Sequence, residues 1–155
     1  QQSLRTIFPE SGDGGYQQVV PVDQVDLGIA VQPIDEAELY GALAEFAARG
    51  FDVTFELPIR VRIYQVSSGG VDVRSSSADG VDHAVAVVLH HIAVDGFSFG
   101  PFSRDLIGAH RARAAGEAPN WAPLPVQYQD FSVWQRELLG AEADPGSMAA
   151  REIAY

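Results

Sequence analysis

From Ala84 to Leu89 the sequence is apolar without alternation, and valines fill its centre. A strand with no polar face reads as one buried on both sides. This run therefore calls for a sheet with cover on each side. It leads directly into His90-His91-Ile92-Ala93-Val94-Asp95-Gly96. A helical pattern follows from about Ser98 to Ala114, with Phe99, Phe102, Leu106 and Ala109 on one face. Ser98 is the expected N-cap and Gly116 the expected stop.

The flanking segments fit such a sheet. Leu4–Phe8 and Tyr16–Val20 predict two short strands joined through the turn-rich residues Pro9 to Gly15. Val25 to Val31 predicts another strand, with Val25, Leu27, Ile29 and Val31 on one face. Asp35 to Arg49 predicts a helix, with Asp35 as N-cap, Glu38 three residues on, a stripe of Leu39, Leu43, Phe46 and Ala47, and Gly50 after it. Ile59 to Val66 alternates, so Ile59, Val61 and Ile63 are expected to face a core, with Arg60 and Arg62 on a solvated face. Ser67 to Val81 predicts a polar loop. A Pro-rich connector leads to a last helix over about Val126 to Leu139, with Tyr128, Phe131, Trp134 and Leu138 as its buried stripe. Ala149 to Tyr155 reads as the start of a further element. This order predicts an α+β fold, an α/β sandwich with helices packed on a mixed β-sheet. Both termini read as structured, so the 155 residues are expected to be part of a longer polypeptide.

Charge and composition narrow the function. The 10 basic residues against 21 acidic ones give a formal net charge of -11. Such a surface repels nucleic acid and anionic membranes. No cysteine is present, which excludes a disulfide scaffold, a thiol nucleophile and a thiolate zinc site. No apolar run approaches the length of a membrane span. A cytoplasmic location is the expectation.

The histidine pair is the candidate site. Side chains alternate along a strand, so His90 and His91 are expected to point opposite ways. Four readings are open at this level. His90, His91 and Asp95 offer metal ligands, although neighbouring histidines on a strand diverge. Ser98 with a histidine and Asp95 offers a nucleophilic triad, without the G-x-S-x-G elbow. A lone histidine suits proton transfer in acyl transfer to an amine, thiol or alcohol. The fourth is a pair of hydrogen-bonded structural histidines at a strand end.

The segment His90 to Gly96 matches the HHxxxDG motif of chloramphenicol-acetyltransferase-like acyltransferases. Leu4-Arg5-Thr6-Ile7-Phe8 resembles the LRTxF motif of condensation domains in nonribosomal peptide synthetases. Phe51-Asp52 with Leu57-Pro58-Ile59-Arg60 is similar to their "FDL…PLR" segment, and Pro125 to Glu137 to their "PVQYxDYxxWQRE" stretch. The chain departs from the family before Leu4, where Gln1 and Gln2 stand in place of His and Glu. The resemblance implies one chloramphenicol-acetyltransferase-like lobe: residues 1–155 as a partial N-terminal lobe, without its first strand and helix and without the C-terminal lobe that completes a tunnel. It implies peptide-bond formation between a donor acyl or peptidyl thioester and an acceptor aminoacyl amine. Both substrates would arrive on phosphopantetheine arms of carrier proteins, with no cofactor bound by this domain and an adenylation domain as neighbour.

The resemblance also implies roles. His91 is the catalytic histidine, acting as base or as positioner of the amine, and Gly96 is the candidate oxyanion donor through its N–H. His90, Asp95 and Arg5 support the loop, with an Arg5–Asp95 salt bridge expected to lock the turn. Phe97 and Ser98 are candidate tunnel lining, and no metal is expected. Two alternatives share the motif's frame. One is a non-catalytic condensation-like platform that recruits a tailoring enzyme, although such platforms typically lose HHxxxDG. The other is a coenzyme-A-dependent or lipoyl acyltransferase, which should lack the Tyr128 to Glu137 segment.

Overall fold

The structure is a computed structural model. It describes residues 1–12, 14–67 and 82–154, and the predicted loop over Ser67 to Val81 lies, beyond Ser67, outside the described residues. The chain divides into two compact units, Leu4–Pro101 and Gln1–Ser3 with Phe102–Tyr155.

A 3-10 turn (Ser3–Arg5) leads to β1 (Thr6–Ile7) in the first unit, so the predicted Leu4–Phe8 strand is shorter than expected. β1 pairs antiparallel with β4 (Gln18–Val19), and between them β2 (Glu10–Ser11) pairs with β3 (Gly14–Gly15). The nested pair realises the hairpin expected from the turn residues. The main sheet has three strands in the order β5-β6-β7, formed by Val31–Asp35, Ile59–Ser67 and Asp82–Leu89. β5 runs parallel to β6, and β6 antiparallel to β7. The parallel pair requires a crossover, which is supplied by α1 (Glu36–Ala48). Asp35 precedes α1 with extended dihedrals, but its carboxylate makes no capping bond and accepts from Ser67 Oγ at 2.8 Å instead. The expected strand over Val25 to Val31 begins only at Val31. The turn residues Asp26 and Gly28 explain this: Gly28 takes a φ of 55°, and its N–H donates to Asp26 Oδ1.

The core lies on one face of this sheet. Phe46, Tyr64 and Ala86 are its buried centre, with Leu39, Ala42, Leu43, Ile34, Val66, Ala84 and Val88 packed around them. All the strand members of this cluster have even numbers. α1 therefore covers the face that carries Arg60, Arg62 and Tyr64, the opposite of the expected polarity. The Ile59, Val61 and Ile63 face is only half-buried. β7 is likewise not buried on both sides. It lies at one end of the described sheet, and Val85 is 55% exposed.

The second unit contains most of α2 (Phe99–Ala114), then α3 (Tyr128–Leu139) and α4 (Met148–Ile153). Gly116 ends α2 with positive φ, as expected. The stripe expected to be buried on α3 is not: Tyr128, Phe131, Trp134 and Leu138 are all exposed. Three of these rings stack in sequence along the helix, with centroids 5.9 Å apart for Tyr128–Phe131 and 5.6 Å for Phe131–Trp134.

Gly140 closes α3 at φ 74° and ψ -177°, a region open essentially to glycine alone. A Cβ there would stand 2.9 Å from Ser147 Cβ, next to the start of α4. Gly140→Ala should therefore cost roughly 1–3 kcal/mol. Denaturant unfolding of the variant beside the parent chain checks this, and an unchanged midpoint would contradict it.

Candidate active site

β7 ends at Leu89, so both histidines lie just beyond it, where the chain turns. His90 anchors that turn. Its N–H donates to Pro58 O at 3.0 Å, continuing the β6–β7 edge by one bond. Its carbonyl accepts from Ala93 N–H at 3.1 Å, which closes a four-residue turn over His90 to Ala93. Its Nδ1 accepts from Ile92 N–H at 3.0 Å, so in the neutral ring the proton resides on Nε2. The ring stands edge-on to Phe51, with centroids 5.7 Å apart and planes at 81°.

His91 occupies the outer corner of this turn and is exposed. Its imidazole makes no hydrogen bond, ion pair or ring contact among the described residues. Both histidines follow the last strand residue, so strand alternation does not set their directions.

The Arg5–Asp95 salt bridge expected from the resemblance is not formed. The Arg5 guanidinium donates to Val20 O, beside the β1–β4 pair. Asp95 is engaged locally: its Oδ1 accepts from Ser98 Oγ at 2.7 Å and from Ser98 N–H at 3.0 Å, while Ser98 Oγ accepts from Asp95 N–H at 3.1 Å. These reciprocal bonds close the Asp95–Ser98 turn that leads into α2. The carboxylate is exposed, so its desolvation is too slight to demand a cation beside it. The Ser98 hydroxyl, partly opposed by desolvation and helped by the N–H groups of Ser98, Phe97 and Asp95 itself, holds its carboxyl below the ordinary value.

Gly96 follows Asp95 without a positive φ. A Cβ on Gly96 would meet nothing within 4 Å. Phe97 is 91% exposed, which removes a core role within the described residues. His90, His91 and Asp95 do not form a metal-holding group among the described residues. A cleft of about 170 Å³ lies elsewhere in the first unit, lined by Gly28, Gln32, Phe46, Arg49, Arg60 and Arg62 among others, and none of the HHxxxDG residues lines it.

Arg60, expected on a solvated face, is instead largely buried, with 16% of its side chain exposed. Its Nη1 donates to Arg49 O at 3.1 Å and its Nη2 to Gly50 O, the carbonyls just past α1. Glu56 lies 3.9 Å away, and the guanidinium carbon stands 3.7 Å from the Phe51 ring centroid. Such stacking contributes about 1–2 kcal/mol when desolvated. Burial, and then the neighbouring Arg49 charge, lower the Arg60 pKa, while Glu56 opposes them. Arg62 sits similarly over Phe46, at 4.5 Å. Neither Phe51 nor Arg60 was assigned a site role from sequence. The available signal was their joint presence in the Phe51 to Arg60 segment. In the second unit, two further motif segments meet, since Gln2 N–H donates to Gln127 Oε1 at 3.2 Å and Gln129 Nε2 donates to Gln2 Oε1.

A mixed sheet with a crossover helix, followed by a turn with an exposed histidine and then a helix, is the α+β frame of this lobe. The profile described as "Condensation domain" matches residues 1–144, and the chain belongs to that family. It is 42% identical over 154 residues to a probable non-canonical nonribosomal peptide synthetase, CymA, of Salinispora arenicola. It is 40% identical over 154 residues to a dimodular nonribosomal peptide synthase of Bacillus subtilis. The chain is 99% covered in both matches but spans only 2% and 6% of those proteins. Among solved structures, the X-domain from teicoplanin biosynthesis, seen in complex with OxyB, aligns with a TM-score of 0.81 at 31% identity, over 99% of this chain and 31% of that one. The epimerization domain of tyrocidine synthetase B shares the fold, with a TM-score of 0.69 at 16% identity, over 99% of this chain and 32% of that one.

The depressed Asp95 carboxyl has a pH consequence. A group whose folded pKa lies below its unfolded value of about 3.8 adds stability above that value and loses it as pH falls through the folded pKa. The Asp95–Ser98 turn should therefore open only below the ordinary carboxylate range. Carboxyl-detected NMR titration should show Asp95 titrating low, and Ser98→Ala should move it upward. An unchanged titration in that variant would contradict the assignment.

Proposed function

We propose that this chain supplies the histidine-bearing lobe of a condensation domain in a nonribosomal peptide synthetase. The domain joins a carrier-bound acyl or peptidyl thioester to the amine of a carrier-bound aminoacyl acceptor. The supporting observation is the exposed His91 imidazole at a turn corner pinned through His90, with Gly96 exposed five residues on.

The amine nitrogen attacks the thioester carbonyl, the C–N bond forms, and the negative charge on the carbonyl oxygen is taken up by the Gly96 N–H. The tetrahedral species collapses with loss of the C–S bond. The proton released by nitrogen passes by way of His91 Nε2 or Nδ1 to solvent or to the departing phosphopantetheine thiolate. An amine with a pKa near 8 is partly neutral at pH 7, so positioning by His91 serves as well as strong basicity. Donor and acceptor carrier proteins and an adenylation domain are the partners this reading requires. The chain supplies one wall of the tunnel, and the 155 residues alone are expected to be inactive.

A second reading is a platform that recruits a tailoring enzyme. It is favoured by the likeness to the X-domain, which is solved in complex with OxyB. The intact His90-His91…Asp95-Gly96 set favours catalysis instead.

His91→Ala in the intact polypeptide should nearly abolish condensation, by roughly a hundredfold or more. Mass spectrometry of products from carrier-bound donors checks this. Near-normal turnover in the variant would refute the reading, and wild-type product from coenzyme-A-bound donors alone would favour the coenzyme-A acyltransferase.

A further inference from the structure

We propose that Arg60 is a positioning residue for His91, acting through Phe51 and His90. The inference deepens the condensation reading and rests on it. Arg60 touches neither histidine in any described contact. Its fork instead grips the carbonyls of Arg49 and Gly50 and lies 3.7 Å from the Phe51 centroid. Held in this way, Phe51 presents its ring to His90 at 81°.

His90 carries the turn. Rotation of its ring would break the Nδ1 bond from Ile92 N–H, and that bond lies inside the turn whose corner is His91. The direction in which His91 projects therefore depends on the Phe51–His90 edge contact. A planar guanidinium suits this task. It covers an aromatic face and donates to two carbonyls at once, whereas an ammonium is a point charge and cannot do both. Arg60 Nε is buried with no hydrogen-bond partner among the described residues, so its charge is retained at a cost that the fork and the stacked ring offset.

The conservative series separates positioning from packing. Phe51→Tyr keeps the ring face and edge, while Phe51→Leu keeps apolar volume without either. In the intact polypeptide, Phe51→Leu should lower kcat by roughly ten- to a hundredfold with KM for the carrier-bound donor little changed. Phe51→Tyr should stay near wild type. Arg60→Lys should resemble Phe51→Leu.

A second readout does not depend on turnover. In the 155-residue chain, Phe51→Leu and Arg60→Lys should each move the His90 ring proton resonances and speed hydrogen exchange at the Ile92 amide. Amides of β6 and β7 should keep their protection, which shows that each variant folds. Wild-type kcat in Phe51→Leu, or unmoved His90 and Ile92 signals, would overturn the proposal. If the wild-type protein makes no peptide product, the condensation reading fails, and the NMR arm still decides whether Phe51 and Arg60 set the turn.

Discussion

The first unit depends on one guanidinium in an unusual place. Arg60 closes the C-terminal end of α1 by donating to the carbonyls of Arg49 and Gly50. Helix ends leave carbonyls without partners, and a cation there also complements the helix dipole. Arg60 is also stacked on Phe51 and stands 3.9 Å from Glu56. One side chain thus ties the crossover helix to the middle strand of the sheet. Both Arg60 and Arg62 occupy the helix-facing side, over Phe51 and Phe46, so their stems and planar heads serve as cover for aromatic rings.

The histidine turn is held differently. Asp95 is satisfied by Ser98 and its own neighbouring amides, and Arg5 is committed to Val20 O. Short-range hydrogen bonds at a helix start need no buried charge and no partner from elsewhere in the chain. Such a loop is rigid at its two ends, at His90 and at Asp95–Ser98, and leaves His91 and Gly96 open between them.

The elements with strong local periodicity were legible. The helix over Glu36–Ala48, the strand over Ile59–Ser67 and the helix over Phe99–Ala114 lie where the pattern put them. The HHxxxDG segment forms the turn after β7, where His91 is exposed. Three expectations failed for the same kind of reason. The Arg5–Asp95 pair, the solvated Arg60 and Arg62 face, and the buried stripe on α3 all concern which surface meets which. Alternation shows that two faces differ, but not which of them a helix will cover. Arginine is the residue most able to defeat the simple polarity rule, because its head stacks on aromatics.

The sequence by itself determined the element types, the strand-turn-helix unit that carries His90 to Ser98, and the chemistry those residue types can perform. These follow from backbone propensity, spacing and functional groups, which are local. Only the tertiary structure decided that α1 packs on the arginine face of the sheet, that Phe51 meets His90 edge-on, and that Asp95 turns to Ser98 rather than to Arg5. Those outcomes depend on contacts between residues far apart in the chain, or on competition between near and distant hydrogen-bond partners, which only the folded geometry resolves.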